Sequence, residues 1–214
     1  MKDIAIFGAG GFGKEVACLI KRINEAGGDW NLIGFFDDTK EIGEHISHYG
    51  KALGGIDSLN QWNSPISLVI AIGSPDSIFM VRNKISNPNI DYPNLIDPSF
   101  YVVDPETFKI GYGNIVQCDC RVSCDVSIGN HNVLNGAVEI GHDSCIGDFN
   151  VIMPDIRISG KVSIGNYNLL GVGSIIIEKS KIGNNIHLGA GAVLMTKPKD
   201  GHTYIGNPAK MFKF

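Results

Sequence analysis

A histidine followed directly by an aspartate, His142-Asp143, lies in the segment EIGHDSCIG at residues 139–147. Small and aliphatic residues surround the two, so they form an isolated titratable pair. An imidazole can take the proton that an amine or hydroxyl loses when it attacks a thioester. An adjacent carboxylate can orient the ring and favour the imidazolium that forms. The pair therefore predicts general-base chemistry, with a solvated polar turn as the alternative.

A second motif is the glycine-rich stretch GAGGFG at residues 8–13, which matches G-x-G-x-x-G. It follows an apolar run and opens a helical pattern, a context in which backbone N–H groups approach a phosphate. The next apolar run ends in Asp37-Asp38, placed to accept hydrogen bonds from a ribose or base. NAD is disfavoured because no second mononucleotide-binding half follows. A glycine turn without a ligand is the remaining alternative.

The first hundred residues alternate strand and helix patterns. Such alternation predicts a small parallel sheet with helices on its faces, a Rossmann-like βαβ domain. X-Pro steps at residues 92–93, 97–98 and 104–105 mark a junction, so we predict domains at 1–100 and 101–214. The predicted strands cover residues 3–7, 32–36 and 68–72, and the predicted helices cover 14–26 and 76–86.

From residue 110 the sequence repeats every six residues. The repeated position is Val, Ile or Leu in all fifteen hexads, and glycine follows it in eight of them. A coil of three short strands per turn needs this period, because each strand sends one aliphatic side chain inward. We predict about five coils of a parallel β-helix, with the glycines allowing positive φ or close backbone approach. The repeated residues are Ile110, Val116, Val122, Ile128, Leu134, Ile140, Ile146, Ile152, Ile158, Ile164, Leu170, Ile176, Ile182, Leu188 and Leu194.

Composition excludes several classes of protein. The 214 residues are 43% hydrophobic and 19% charged, with a net charge of −4 and no basic run, so no nucleic-acid partner is expected. No apolar segment has the length of a secretory signal or a membrane span. Five cysteines without framework spacing indicate a reducing cytoplasm. Cys118, Cys120 and Cys124 lack matching ligands at zinc-site spacing, so we expect no metal.

The chain resembles the hexapeptide-repeat nucleotide-sugar acetyltransferases. The motifs IFGAGGFGKE, FFDD, AIGS, LNGAVEIGHDSCIGD and GNPAK carry the resemblance, together with the hexads. Members of this bacterial family N-acetylate UDP-amino sugars or GDP-perosamine, and sialic acid O-acetyltransferase-like proteins are related. The resemblance implies an α/β domain followed by a left-handed parallel β-helix, assembled as a homotrimer.

The resemblance also implies roles for particular residues. His142 would be the catalytic base with Asp143 beside it, and acetyl-CoA would be the co-substrate. Asn135, which stands where most hexads have glycine, would contact the acceptor sugar, although Asn also tolerates a left-handed corner. The nucleotide-sugar would be held by Gly10, Gly11, Phe12, Asp37, Asp38, Gly73 and Ser74. Acetyl-CoA would contact the backbone of Gly160, Val172, Gly173, Ala190 and Gly191, and its phosphates would contact Lys210.

The sequence departs from the family pattern in two places. Val151 stands where many relatives have a second histidine, and residues 154–156 read PDI instead of PGA. His131, His187 and His202 do not reproduce the zinc site of β-helical carbonic anhydrases. We therefore predict N-acetylation of a nucleotide-linked amino sugar. The alternatives are O-acetylation of a sugar and a non-catalytic nucleotide-sugar-binding scaffold.

Overall fold

The computed structural model describes residues 1–213 and divides into two compact units, Met1–Pro98 and Ser99–Phe214. The elements of the first unit are β1 (Lys2–Phe7), α1 (Gly11–Glu25), β2 (Trp30–Phe36), β3 (Ala52–Gly54), α2 (Ile56–Asn60), β4 (Ile66–Ile70), α3 (Pro75–Lys84), β5 (Ile90–Asp91) and β6 (Leu95–Ile96).

The first unit contains a five-stranded parallel sheet in the order β3–β2–β1–β4–β5. The three predicted strands and two predicted helices are present, with ends shifted by at most three residues. β3, α2 and β5 were not predicted, because they are two to five residues long and show no period. Ile4, Ile6, Phe35 and Leu68 are fully buried, so the centre of the sheet is the core of this unit.

The second unit is a parallel β-helix whose two-residue strands form three faces. Face 1 consists of β7 (Tyr101–Val102), β10 (Arg121–Val122), β13 (Glu139–Ile140), β16 (Arg157–Ile158), β19 (Ile175–Ile176) and β22 (Val193–Leu194). Face 2 consists of β8 (Lys109–Ile110), β11 (Ser127–Ile128), β14 (Cys145–Ile146), β17 (Ser163–Ile164) and β20 (Lys181–Ile182). Face 3 includes β9 (Ile115–Val116), β12 (Val133–Leu134), β15 (Val151–Ile152), β18 (Leu169–Leu170), β21 (His187–Leu188), β23 (Thr203–Ile205) and β24 (Lys210–Phe212).

Each coil contains three hexads, so a residue pairs with the one 18 positions later. Val122 pairs with Ile140, and Ile140 pairs with Ile158. Of the fifteen repeated aliphatic residues, all but Ile110 are buried. The prediction of inward aliphatic side chains is confirmed, and their burial is the main favourable contribution to folding of this unit.

A ladder of asparagines runs through the interior beside face 3. Asn114, Asn132, Asn150 and Asn168 are spaced by 18 residues and are fully buried. Asn150 Nδ2 donates to Asn132 Oδ1 at 3.0 Å and to the Gly165 carbonyl at 2.9 Å. Its own Oδ1 accepts from the backbone N–H and the side-chain amide of Asn168. The ladder therefore satisfies buried polar groups from one coil to the next.

The corners between faces contain two kinds of constrained backbone position: a left-handed residue and a residue closely approached by the next coil. The third residue after each inward aliphatic residue except Leu194 is left-handed, with φ between 52° and 68°. The glycine directly after the inward residue is not left-handed, so of the two predicted roles only close backbone approach is correct. A Cβ on Gly141 would lie 2.6 Å from the backbone nitrogen of Gly160 in the next coil. The left-handed residues are Gly113, Asp119, Asp125, His131, Ala137, Asp143, Phe149, Asp155, Lys161, Tyr167, Gly173, Lys179, Asn185 and Gly191.

Candidate active site

His142 and Asp143 lie at the corner between face 1 and face 2, called here the histidine corner (residues 123–125, 141–143 and 159–161). The Nδ1 atom of His142 is 2.7 Å from Asp143 Oδ2, and the two side chains are 49% and 51% exposed. Asp143 is left-handed with φ 56°, and its N–H donates to the Cys124 carbonyl of the previous coil at 3.1 Å. Since a carboxylate only accepts, Nδ1 carries the proton in this pair, which leaves the Nε2 lone pair as the base.

Gly160 lies one coil beyond His142 at the same corner. The N–H of Lys161 donates to the His142 carbonyl at 2.7 Å, which holds the two coils together there. Gly160 itself is buried, although it is a corner residue. The structure therefore brings the predicted base and one predicted acetyl-CoA contact side by side.

The other predicted acetyl-CoA residues lie at a different corner, between face 3 and face 1. This glycine corner comprises residues 135–137, 153–155, 171–173 and 189–191. The N–H of Gly191 donates to the Val172 carbonyl at 2.8 Å, so the two coils are adjacent. Gly173 and Gly191 are left-handed and face open space, and Val172 is 42% exposed. This corner thus presents open backbone to a ligand.

Asn135 also belongs to the glycine corner, two coils before Gly171. It is not left-handed, so our interpretation of Asn135 as a residue tolerated for that conformation is wrong. Its side-chain amide donates to the Ile152 carbonyl at 3.2 Å and contacts the Met153 sulfur at 3.7 Å. Asn135 and His142 therefore lie at opposite edges of face 1 within one chain.

A cavity of about 380 Å³ lies on face 1 between these two edges. It is lined by three charged residues from consecutive coils, Arg121, Glu139 and Arg157, and by two residues of the histidine corner, Gly141 and Ser159. Arg157 Nε is 3.7 Å from Glu139 Oε2. The sequence prediction missed these three charged residues, although their 18-residue spacing places them on one outer face.

In the first unit, the glycine-rich loop joins β1 to α1. Gly8 is left-handed with φ 110°, and its N–H donates to the Phe36 carbonyl at 2.8 Å. Cβ atoms built on Gly10, Gly11 and Gly73 would meet nothing within 4 Å. The loop therefore leaves room for a ligand to approach its backbone, which is the property that the motif predicts.

Asp37 is a structural part of this loop. Its Oδ2 accepts from the Ala9 N–H at 2.8 Å, and its Oδ1 accepts from the hydroxyl and N–H of Thr39. Burial raises the pKa of Asp37, but the hydrogen bonds from Thr39 and Ala9 and the charge of Lys40 outweigh it, so the pKa is lowered from 3.8. The carboxylate holds the loop backbone in place even without a ligand.

Asp38 and Ser74 accept hydrogen bonds from backbone N–H groups at the starts of two helices. Asp38 Oδ1 accepts from the Ile56 N–H at 2.7 Å at the start of α2, and Ser74 Oγ accepts from the Ser77 N–H at 3.4 Å at the start of α3. A cavity of about 440 Å³ lies beside Asp38 and is lined also by Ile56, Asp57, Asn60 and Lys84. Asp57 and Lys84 were not predicted, because nothing in the sequence relates them to Asp38.

The remaining predicted residues lie apart from these clusters. Lys210 is exposed at the start of β24, where it pairs with Ile205 of β23. Val151 is 1% exposed. Within residues 1–213, no three His, Cys, Asp or Glu side chains are grouped so as to hold a metal ion. In the same range, no helix combines the length and apolar character needed to cross a bilayer.

Comparison with known proteins places this fold and site in a class. Residues 3–87 match the family model of the PglD N-terminal domain. The acetyltransferase domain of PglB from Neisseria gonorrhoeae is 27% identical with a TM-score of 0.88, over 99% of this chain and 100% of that one. The same domain has been solved in complex with acetyl coenzyme A. No match was found among curated protein sequences.

A histidine variant of perosamine N-acetyltransferase from Caulobacter crescentus, in complex with CoA and GDP-perosamine, is 25% identical with a TM-score of 0.86, over 100% of this chain and 98% of that one. WeeI from Acinetobacter baumannii shares the fold with a TM-score of 0.87 at 22% identity, over 99% of this chain and 100% of that one. The class is therefore that of the left-handed β-helix acetyltransferases. Within it, the chain is similar to nucleotide-sugar acetyltransferases over nearly its whole length.

Proposed function

We propose that this protein transfers the acetyl group of acetyl-CoA to an amino group of a nucleotide-linked sugar in bacterial glycan biosynthesis. The observation that carries the proposal is the His142–Asp143 pair, half exposed at a corner, with 2.7 Å between Nδ1 and Oδ2. An imidazole held at Nδ1 by a carboxylate presents Nε2 as a proton acceptor.

His142 would act on the proton that the attacking amine must lose. As the new amide bond forms and the thioester bond breaks, Nε2 accepts the proton from the amine nitrogen. The imidazolium then returns this proton to the departing CoA thiolate, so the base is regenerated. Asp143 would orient the ring and stabilise its charged form, and no covalent acyl-enzyme is required.

The nucleotide-sugar would bind to the first unit, a Rossmann-like domain that precedes about five coils of β-helix in the chain. Gly10, Gly11 and Phe12 open α1, where backbone N–H groups favour a phosphate. The open space at Gly10, Gly11 and Gly73 supports this assignment. Asp37, Asp38 and Ser74 already accept backbone hydrogen bonds, so they would act by holding this site together and would offer their remaining acceptor capacity to the ligand.

Acetyl-CoA would lie in a groove between neighbouring subunits of a homotrimer. His142 and Gly160 lie at the histidine corner of the β-helix. The other proposed acetyl-CoA contacts lie at the glycine corner of the same chain: Val172, Gly173, Ala190 and Gly191. A second copy that brings its glycine corner to this histidine corner would complete the site. Lys210 would contact the CoA phosphates, and Asn135 the acceptor sugar, as the resemblance implies.

The assembly proposal is tested by light scattering of the full chain. We expect a mass near three times the 23.1 kDa of one chain. An active monomer would contradict a shared site. We place the protein in the cytoplasm, because its five cysteines show no spacing typical of a disulfide framework.

The reaction is tested by measuring CoA release and product mass with UDP-, GDP- and CMP-linked amino sugars. Hydroxyl analogues of the same nucleotide-sugars are the matched controls. We expect acetylation of an amino sugar and little turnover of the hydroxyl analogues. Faster acetylation of hydroxyls would favour the O-acetyltransferase alternative. Nucleotide-sugar binding without any turnover would favour the non-catalytic scaffold.

A further inference from the structure

Gly160 stands against the ring of His142, and this contact explains why the position lacks a side chain. A Cβ built on Gly160 would lie 2.6 Å from His142 Nε2, 2.8 Å from Cε1 and 3.0 Å from Cδ2. Contacts of 3.5–4.0 Å are the optimum for non-bonded atoms, so the ring and a Cβ cannot occupy these places together. The imidazole therefore uses the volume that a side chain at residue 160 would fill.

Backbone conformation does not require glycine at this position. Gly160 is outside the left-handed region, whereas the neighbouring corner residue Lys161 has φ 59° and is not glycine. An alanine at 160 would therefore meet no backbone strain. The nearest obstacle is the end of a half-exposed side chain, which can move into solvent at little cost to the fold.

We infer that Gly160 is a positioning residue for the proposed base: its missing side chain seats the His142 ring so that Nδ1 reaches Asp143 while Nε2 lies over the next coil. This inference rests on the proposed function, and it adds a steric role to the backbone contact with acetyl-CoA. Any Cβ at residue 160 displaces the ring and breaks the 2.7 Å contact between Nδ1 and Asp143 Oδ2.

Two other corner glycines are matched controls. Gly136 occupies the same place in its hexad as Gly160, and a Cβ there would make ordinary contacts of 3.5 and 3.7 Å with Cys118. A Cβ on Gly141 would instead meet the backbone of Ser159 and Gly160 at 2.6 Å. Backbone cannot move aside as a side-chain end can. Gly136→Ala is therefore expected to leave the fold and the His142–Asp143 contact unchanged, and Gly141→Ala to lower stability.

The first measurement is the crystal structure of each variant, which does not depend on the reaction. In Gly160→Ala we expect the His142 ring to be rotated away, with Nδ1 beyond hydrogen-bond distance of Asp143 and the coils unchanged. In Gly136→Ala the pair should stay in contact. A Gly160→Ala structure with the ring and the Nδ1–Oδ2 contact unmoved would overturn the inference, whatever reaction the protein catalyses.

The second measurement is kinetic. We expect Gly160→Ala to lower kcat about 10- to 100-fold, since misplacing a catalytic group by about 1 Å can cost a hundredfold. Its KM for the amino sugar and its melting temperature should match those of the wild type. In a His142→Ala background, Gly160→Ala should cause no further loss, because the ring through which it acts is gone. A further loss in that background, with a raised KM for acetyl-CoA, would contradict the inference. Residue 160 would then act on acetyl-CoA binding and not through the His142 ring. If no variant or wild type turns over, the proposed function fails while the crystallographic result still stands.

Discussion

The two candidate sites of this protein are held in place by opposite means. At the histidine corner, the backbone is positioned by the 18-residue register of the coils, and the side chains of His142 and Asp143 contribute little to it. In the candidate nucleotide-sugar site of the first unit, Asp37 and Asp38 hold the backbone themselves, because they accept hydrogen bonds from the N–H groups of Ala9 and Ile56. Activity and stability should therefore separate at the first site and be coupled at the second.

Replacement of His142 by alanine tests the histidine corner, where activity and stability should separate. Its effect on activity should be the largest of those predicted. We expect kcat to fall about 100- to 10,000-fold, the range for losing a positioned general base. The melting temperature should stay close to that of the wild type, because the side chain is half exposed. Asp143→Asn is the companion variant and should lose less, since it orients the ring and does not transfer the proton. Near-normal turnover of His142→Ala would mean that the pair is only a polar corner.

Asn150→Ala tests whether the hydrogen bonds between coils, and not the side chains of the histidine corner, stabilise the β-helix. The change removes the side-chain amide that the Gly165 carbonyl and two N–H groups of Asn168 bond to, all near the buried interior. It also removes one of the two donors to Asn132 Oδ1, which keeps the Asn150 N–H. Leaving such groups unsatisfied should cost about 2–4 kcal/mol in the free energy of unfolding, measured in urea. Lys181→Ala, at an exposed position of face 2, is the control and should cost less than about 0.5 kcal/mol. Equal costs for the two variants would contradict the role of the ladder.

Ligand binding to the first unit should raise its stability. A nucleotide-sugar at 100 times its Kd should add about 2.7 kcal/mol to the free energy of unfolding, because it binds only the folded state. The melting temperature of the full chain with UDP-, GDP- or CMP-sugars measures this effect. NAD is the matched control and should do much less. A larger shift with NAD would replace our nucleotide-sugar assignment with a dinucleotide site.

Asp37→Asn tests the candidate nucleotide-sugar site of the first unit, where binding and stability should be coupled. Its effect on stability should be the smallest of those predicted. The folded-state pKa of Asp37 is lowered from 3.8, so the ionised carboxylate stabilises the folded state above pH 3.8, and this stabilisation is lost as the pH falls through the lower folded value. The variant should lose roughly 1 kcal/mol or less at pH 7, because the group is partly solvent-screened. Unfolding curves from pH 7 to pH 3 should converge in acid. A difference in the free energy of unfolding that stays constant from pH 7 to pH 3 would mean that the charge of Asp37 does not contribute to stability.

Much of the fold was predictable because it repeats. Fifteen hexads identify the β-helix, since only an inward aliphatic residue at a fixed place explains the period. The short elements β3, α2 and β5 were missed because tertiary contacts, not local pattern, form them. The charged residues Arg121, Glu139 and Arg157 became visible as one group only when the 18-residue coil placed them on face 1.

The sequence alone determined the β-helix, the candidate base and the resemblance to nucleotide-sugar acetyltransferases, because motifs and period are local properties of the chain. Only the tertiary structure decided which residues are neighbours. It placed His142 against Gly160 and apart from Val172 and Gly191, because corners related by 18 residues stack while others lie across a face. It also assigned the left-handed conformation to residues such as Asp143 and not to the glycines that directly follow the inward aliphatic residues. The physical reason is that coil-to-coil packing sets the close approach, and this packing does not exist in the unfolded chain.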